Sequence, residues 1–261
     1  MPVIQQYNYN ALRNFSYLIY CSKSNITAII DPFDGKKTKE LIQKNNLIPK
    51  YIINTHDHWD HIQGNSFLVK NYDLDVVYQK GYEDAFKGIT KTVSSGESLE
   101  LGQDYLLDFQ RSPGHRESHL AIFLKKARLN EVKAIFSGDT LFNAGVGNCK
   151  NGGNVEHLYE TILSIYDDLD DNVILYPGHD YLINNLEFSL SVDKKEDIEN
   201  FLKEKKHPTD DYNSEPLAMA VEKKINLFLR NRREHLKKHP EFAKYNDKQV
   251  FIKLRDLRDK W

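Results

Sequence analysis

The first 180 residues alternate short apolar runs with amphipathic stretches, a pattern that predicts strands interleaved with helices. Short apolar runs between polar or turn residues are typical of buried strands, and we predict strands at 17–20, 27–30, 50–54, 75–78, 105–110, 120–124, 134–136 and 173–176. Apolar residues spaced three and four apart predict helices at 36–46 and 155–166. This part of the chain is therefore expected to form an α/β domain.

The pattern changes after residue 181. Strand-like runs become rare, charged residues become dense, and helical periodicity predicts helices at 193–205, 217–235 and 247–260. A polar segment with two prolines, 207–216, predicts a loop between the first two of these helices. We therefore predict two domains, an α/β domain over residues 1–180 and a helical subdomain over residues 181–261.

Composition and charge exclude several classes of protein. Hydrophobic residues make up 40% of the 261 residues, which is enough for a core and excludes a disordered chain. The net charge of −2 gives no general attraction to nucleic acid or to a membrane surface. Cys21 and Cys149 are far apart, so they form neither a disulfide framework nor a thiolate zinc finger. With no signal-like start and no apolar run of about 18 residues, we expect a cytoplasmic protein with no nucleic-acid or membrane partner.

A dense cluster of metal-ligating residue types follows the predicted strand at 50–54. The sequence THDHWDH places three of the chain's ten histidines, His56, His58 and His61, together with Asp60 within six residues. A loop that leaves a strand can point His56 and His58 to one spot, and a following helical turn would bring Asp60 and His61 beside a second spot. Imidazole nitrogen and carboxylate oxygen are ligands that suit zinc, iron or manganese.

Three further residues of the same kind also follow predicted strands. His115, Asp139 and His179 each come directly after a glycine, in SPGH, SGDT and PGHD. Glycine lets the backbone turn sharply at the end of a strand, and the carboxyl ends of strands are where sites assemble in α/β sheets. A single histidine at a strand end is more often an ordinary loop residue, but the whole set predicts a metal centre.

The motifs THDHWDH, SPGH, SGDTLF and PGHDY resemble, in this order, the successive motifs of the metallo-β-lactamase fold. The resemblance implies a four-layer αβ/βα sandwich of the α+β class, here with a helical C-terminal subdomain, and a centre of two divalent metal ions. Zinc is the first expectation, with iron or manganese as alternatives. The implied ligands are His56, His58 and His115 for one ion, Asp60, His61 and His179 for the other, and Asp139 as the bridge. Asp139, Asp60 and His61 are the implied catalytic residues, and Asp31 resembles an aspartate that orients ligands.

Three segments narrow the resemblance to glyoxalase II, the hydroxyacylglutathione hydrolase family. GDTLFNAGVGN and GHDYLINNLEF are similar to its segments, as is the C-terminal FIKLRDLRDKW. The resemblance implies glutathione contacts at Tyr181, Arg255 and Arg258. The family usually has a basic residue and then an aromatic one after this glycine-rich segment, where this chain has Asn148 and Lys150. These two residues are also candidates for the thiol site, and the departure concerns thiol specificity more than hydrolysis.

The function implied is hydrolysis of S-2-hydroxyacyl-glutathione, S-D-lactoylglutathione in particular, to a 2-hydroxy acid and glutathione by a hydroxide that the metal ions generate. The small-molecule partner is thus a glutathione thioester. Two alternatives stay open at this point. The first is a mono-iron persulfide dioxygenase. Proteins of that branch look shorter than this chain and lack its helical tail. The second is a relative that binds glutathione conjugates without catalysis. For Arg255 and Arg258, the alternative interpretation is a solvated helix face.

Overall fold

The fold is that of a computed structural model, which describes residues 2–206 and 215–261. The strands of the described residues are β1 Val3–Tyr7, β2 Phe15–Tyr20, β3 Ile26–Ile30, β4 Ile48–Ile53, β5 Asp75–Gln79, β6 Lys91–Val93, β7 Ser98–Leu101, β8 Tyr105–Arg111, β9 Leu120–Lys126, β10 Glu131–Gly138, β11 Leu141–Phe142, β12 Gly145–Val146, β13 Ile174–Pro177 and β14 Leu217–Ala218. The helices are α1 Gly35–Lys44, α2 Trp59–Ile62, α3 Asn65–Asn71, α4 Val155–Thr161, α5 Leu182–Val192, α6 Glu196–Lys205, α7 Met219–Ile225, α8 Arg230–Leu236 and α9 Asp247–Lys260. None of the helices within these described ranges is long and apolar enough to cross a membrane.

The chain divides into two compact units, and the first comprises Met1–Arg111 and Ser118–Gly138. Strands β1 to β6 form one sheet in chain order, in which β3, β4, β5 and β6 run parallel. Strands β7 to β10 pair as an antiparallel meander. Leu18, Ile29, Ile52 and Val76 of the first sheet are buried in one apolar cluster with Ile42 of α1 and Leu68 of α3.

The register of β3 and β4 fixes where the first predicted ligands leave the sheet. Ile30 lies opposite Ile53, and the Asp31 amide donates to the Ile53 carbonyl at 3.2 Å. Because the two strands are parallel, their carboxyl ends lie at the same edge of the sheet. Asp31 and the segment that begins at Asn54 therefore emerge side by side.

The second unit comprises Ser112–Glu117 and Asp139–Trp261. It contains helices α4 to α9, the hairpin of β11 and β12, and the antiparallel pair of β13 and β14. Arg233 of α8 is fully buried, and its guanidinium donates to Asp167 Oδ2 and Asp247 Oδ1, each at 2.9 Å. Breaking a buried ion pair of this kind by removing one partner is costly, on the order of 3 to 5 kcal/mol. These bonds join α8 to the start of α9 and to the segment after α4.

The structure confirms all the predicted strands and the helices predicted at 36–46, 155–166, 193–205 and 247–260, with ends shifted by a few residues. The last turn of the second of these, Ile162–Tyr166, is π-helical. The single helix predicted at 217–235 is wrong, because α7 ends at Ile225 and α8 begins at Arg230. Asn226 leaves the helical conformation between them and is fully buried.

Two other outcomes concern the C-terminal half of the chain. Helix α5 was not predicted, since its sequence LINNLEFSLSV has apolar residues on several faces rather than on one stripe. Most of the loop predicted at 207–216 lies outside the described residues. The predicted division into domains at residue 180 stays a prediction.

Candidate metal centre

The segment after β4 carries four of the predicted ligands in the first unit. His56, Asp60 and His61 are buried, and His58 is half-buried. The Asn54 side-chain amide donates to the His61 carbonyl at 2.8 Å, which folds the segment back on itself before α2 ends. Four side chains that carry ligand atoms are thus confined within a few residues of one strand end.

Asp31 orients this segment through three hydrogen bonds. Its carboxylate accepts from the Thr55 amide at 2.7 Å and from the Thr55 hydroxyl at 2.6 Å. It also accepts from His61 Nδ1 at 2.9 Å. Since a carboxylate can only accept, His61 carries its proton on Nδ1 and presents the lone pair of Nε2. A carboxylate that accepts a hydrogen bond from one ring nitrogen in this way fixes the tautomer and orientation of a histidine whose other nitrogen binds metal.

Ligand spacing tests whether these side chains fit a metal ion. Two ligand atoms on one tetrahedral zinc, each at ~2.1 Å from it, lie about 3.4 Å apart. In the first unit, His56 Nε2 lies 3.0 Å from His58 Nδ1, and Asp60 Oδ2 lies 3.5 Å from His61 Nε2. Asn14 donates to Asp60 Oδ2 at 2.8 Å and holds that carboxylate in place. Each of the two pairs therefore has the spacing of ligands that share a cation.

The second unit brings the other three predicted ligands together. Asp139 Oδ2 lies 3.6 Å from His115 Nε2 and 3.2 Å from His179 Nε2, and all three side chains are buried. His115 Nδ1 donates to the Asn148 carbonyl at 2.6 Å, so the lone pair of His115 is on Nε2. One carboxylate oxygen is thus flanked by two imidazole nitrogens at ligand-like distances.

Gly147 is required for this arrangement. A Cβ atom at position 147 would lie 1.9 Å from the Asp139 carbonyl oxygen and 3.0 Å from His115 Nδ1. The first distance is far inside van der Waals contact, and the neighbour is backbone, which cannot move without displacing Asp139. The backbone at 147 therefore passes between two predicted ligands because it has no side chain.

All five residues predicted for the thiol site line one cavity of about 300 Å³ in the second unit. They are Asn148, Lys150, Tyr181, Arg255 and Arg258. Tyr181 stacks on the His179 imidazole with ring centroids 5.0 Å apart and planes at 3°. The cavity wall and a predicted metal ligand are therefore in direct contact.

The two arginines of this cavity differ in their environment. Arg255 is buried, and its guanidinium donates to the Val146 carbonyl and to Asp259 Oδ1, each at 2.9 Å. Burial lowers the pKa of Arg255, and the neighbouring Asp259 carboxylate opposes this effect. Arg258 is half-buried, lies over the Trp261 ring at 5.0 Å and makes a long 3.4 Å hydrogen bond to Asn185. Arg255 thus holds backbone in place, while Arg258 presents its charge to the cavity.

A buried polar network supports the turn between β11 and β12. The fully buried Glu222 carboxylate accepts from the Asn143 side chain and the Ala144 amide, both at 2.9 Å, and from Asn226 at 3.2 Å. Asn226 also donates to the Gly145 carbonyl at 3.1 Å. Burial raises the pKa of Glu222 to about 7, although its three donors favour the charged form. This network fixes the turn that precedes Gly147 and Asn148.

Sequence reasoning missed several residues that support these sites. Asn14 on Asp60, Glu222 and Asn226 at the turn, and His119, whose ring stacks on His56 at 5.1 Å, were not predicted. His119 comes four residues after His115, in SPGHRESH, and could have been found from that proximity in sequence. For the others, the chain carries no local signal, because their partners are distant in sequence.

The chain is similar to known proteins over its whole length. One family model, the metallo-beta-lactamase superfamily, matches residues 9–179, and a second, the hydroxyacylglutathione hydrolase C-terminus, matches residues 180–261. A protein of Nitrosococcus oceani named hydroxyacylglutathione hydrolase is 34% identical over 100% of both chains. A protein of Dictyostelium discoideum with the same name is 33% identical over 83% of this chain and 82% of its own.

Solved structures show the same fold at lower identity. ETHE1 from Myxococcus xanthus matches with a TM-score of 0.70 and 20% identity over 98% of this chain and 91% of that one. A metallo-beta-lactamase from Staphylococcus aureus matches with a TM-score of 0.64 and 20% identity over 98% of this chain and 70% of that one. With the family models, these matches confirm the predicted metallo-β-lactamase fold class and its helical C-terminal region.

Proposed function

Because this chain belongs to the hydroxyacylglutathione hydrolase family of the metallo-β-lactamase superfamily, we propose that it hydrolyses S-2-hydroxyacyl-glutathione thioesters to a 2-hydroxy acid and glutathione. The observation that carries the proposal is the 34% identity to a hydroxyacylglutathione hydrolase over the full length of both proteins. S-D-lactoylglutathione is the substrate that we expect to be cleaved fastest. We also propose a cytoplasmic location, supported by an Arabidopsis thaliana relative named as cytoplasmic, 34% identical over 69% of each chain.

The enzyme is a metal-dependent hydrolase, and its imidazole and carboxylate clusters fit divalent metal. The finer assignment is part of the proposal: two ions, zinc first and iron or manganese as alternatives. We assign His56, His58 and His115 to one ion, Asp60, His61 and His179 to the other, and Asp139 to both. When bound, such metal supplies a nucleophilic hydroxide at neutral pH and polarises the thioester carbonyl.

The chain's own residues have three tasks in this reaction. Asp31 accepts a hydrogen bond from His61 Nδ1, and the Asn148 carbonyl does the same for His115, so both histidines would offer the lone pair of Nε2 to a metal ion. Arg258 and Lys150 offer positive charge to the carboxylates of glutathione, and Tyr181 provides a ring beside them. Arg255 fixes the backbone of the cavity wall. A thiolate is a good leaving group, so no general acid is assigned.

The decisive test combines activity with metal content. Purified protein is assayed on S-D-lactoylglutathione, other acyl-glutathiones and a coenzyme A thioester, and the same sample is analysed for metal. We expect glutathione thioesters to be cleaved fastest and Asp139→Ala to lose several orders of magnitude in kcat together with bound metal. Asp168→Ala is the matched control, since this carboxylate is exposed and pairs with Arg230 on the surface. Near-wild-type turnover in Asp139→Ala would overturn the assignment of the bridge.

The persulfide dioxygenase alternative needs a separate measurement. The expectation that such proteins lack a helical tail does not separate the two functions, because the ETHE1 match covers 98% of this chain. The sequence of the tail does favour the hydrolase, since residues 180–261 match the hydroxyacylglutathione hydrolase C-terminus. Oxygen uptake with glutathione persulfide, in the absence of thioesterase activity, would contradict the proposal. Glutathione binding by a fully metal-loaded protein that cleaves no thioester would instead support the non-catalytic alternative.

A further inference from the structure

Three side chains with metal-ligating atoms meet in the second unit, and none of them is among the seven proposed ligands. Asp193 caps the C-terminal end of α5, His235 lies in the last turn of α8, and His239 follows one turn later. His235 Nε2 lies 3.4 Å from His239 Nε2 and 3.7 Å from Asp193 Oδ2. His239 Nε2 lies 3.8 Å from Asp193 Oδ1. Two imidazole nitrogens and the two oxygens of one carboxylate thus converge.

These spacings match one zinc ion. Two ligand atoms 3.4 to 3.8 Å apart can each lie ~2.1 Å from a shared ion, which is the usual zinc–nitrogen distance. Without a cation, two imidazole nitrogens at 3.4 Å make only a long hydrogen bond. Two histidines with a nearby carboxylate are a common zinc-binding combination.

Two features of the surroundings suit these side chains to binding a cation. Arg232 donates to Asp193 Oδ2 at 2.6 Å, and the buried carboxylate is held in one orientation by this bond. The two histidine side chains are 33% and 40% exposed, so a cation can enter from solvent.

We propose that Asp193, His235 and His239 form a divalent-cation site of the zinc class, separate from the catalytic metals, which clamps the end of α5 to α8. Water would complete the coordination beyond these three ligands of the described residues. The positive charges of Arg232 and Lys195 oppose cation binding, so this site binds more weakly than the catalytic centre and releases its ion first to a chelator. Because α5 begins directly after Tyr181, the clamp stabilises the helices that carry the thiol cavity.

The test measures the zinc bound to the purified, metal-containing protein. Wild-type protein and the double variant His235→Ala/His239→Ala are equilibrated with Zn²⁺ by dialysis, and the bound metal per chain is measured. We expect the wild type to gain one equivalent over its isolated content and to melt at a higher temperature with Zn²⁺. The double variant should lack that equivalent and that shift, with thioesterase activity unchanged.

A matched control and a spectroscopic readout make the test specific. His157→Ala removes an exposed histidine that pairs with Glu117, and it should keep the additional equivalent. Co²⁺ added in place of Zn²⁺ should give tetrahedral absorption bands in the wild type that the double variant lacks. Equal zinc content and equal spectra in the wild type and the double variant would overturn the proposal. A wild-type protein that gains the additional zinc equivalent but cleaves no thioester would count against the proposed function alone.

Discussion

Replacing Glu222 by glutamine should remove a pH dependence of stability that the buried carboxylate imposes on the protein. Glu222 is fully buried, and its two oxygens accept three hydrogen bonds from Asn143, Ala144 and Asn226. Burial raises its pKa from 4.5 to about 7. The folded protein thus binds the carboxyl proton more tightly than the unfolded chain does. Its contribution to stability is full below pH 4.5 and is lost as the pH rises through about 7.

The size of this effect follows from the shift of the pKa. One pKa unit corresponds to about 1.4 kcal/mol, so the free energy of unfolding should fall by about 2.5 kcal/mol between pH 5 and pH 8 through this group. For a chain of this size that equals roughly 5 to 10 °C in melting temperature. Glutamine keeps the shape but cannot titrate, and its amide nitrogen leaves one donor of the network without an acceptor. That cost is the same at every pH.

The assay compares melting temperatures of the wild type and Glu222→Gln at pH 5 and pH 8. Other groups titrate equally in both proteins, so the difference between them isolates Glu222. We expect the wild type to lose 5 to 10 °C relative to the variant as the pH is raised. Glu199→Gln, which changes an exposed helix residue, should follow the wild type at both pH values. A difference between the wild type and Glu222→Gln that stays constant would refute the reasoning.

Three further substitutions address the metal centre and the thiol cavity. Asp31→Asn should weaken metal binding by about 10- to 100-fold in a chelator competition, because asparagine cannot fix the His61 tautomer as a carboxylate does. Arg258→Ala should raise KM for a glutathione thioester about tenfold with little change in kcat, because it removes one partly exposed charged hydrogen bond. An unchanged KM in steady-state assays would count against that contact. Gly147→Ala should lower kcat by at least about 100-fold and reduce the metal content, since its Cβ would collide with the Asp139 carbonyl, and metal analysis beside the activity assay checks this.

Local pattern was sufficient to predict eight of the strands of the described residues and to select the candidate ligands. An apolar run that ends in a histidine or aspartate predicts both the strand and the polar residue after it, and the structure has β4, β10 and β13 at the predicted positions. The break between α7 and α8 could not be predicted, because the carbonyl that Asn226 binds, at Gly145, is 81 residues away. Within 217–235 the charges and apolar residues continue a helical pattern, and only the tertiary contact makes Asn226 leave the helix.

At the C-terminal helix, too, the sequence indicated the residues but not their environments. Resemblance was enough to direct attention to Arg255 and Arg258, and both line the cavity. It could not distinguish them, because the burial of Arg255 depends on the Val146 carbonyl, 109 residues earlier. A charged helix with arginines three residues apart is compatible with two exposed charges. The fold makes one of them a structural link and leaves the other half-exposed.

The departure from the family pattern at Asn148 and Lys150 gains a physical explanation from this geometry. The bond that orients His115 comes from the backbone carbonyl of Asn148, and the side chain of Asn148 caps the Lys150 amide instead. A carbonyl is present whatever side chain stands at position 148, so the cavity wall can change while the ligand stays oriented. Gly147, by contrast, has no such freedom, because any side chain there meets Asp139. Residues 147–150 therefore allow the cavity wall to vary at position 148, while Gly147 keeps the predicted metal ligands in place.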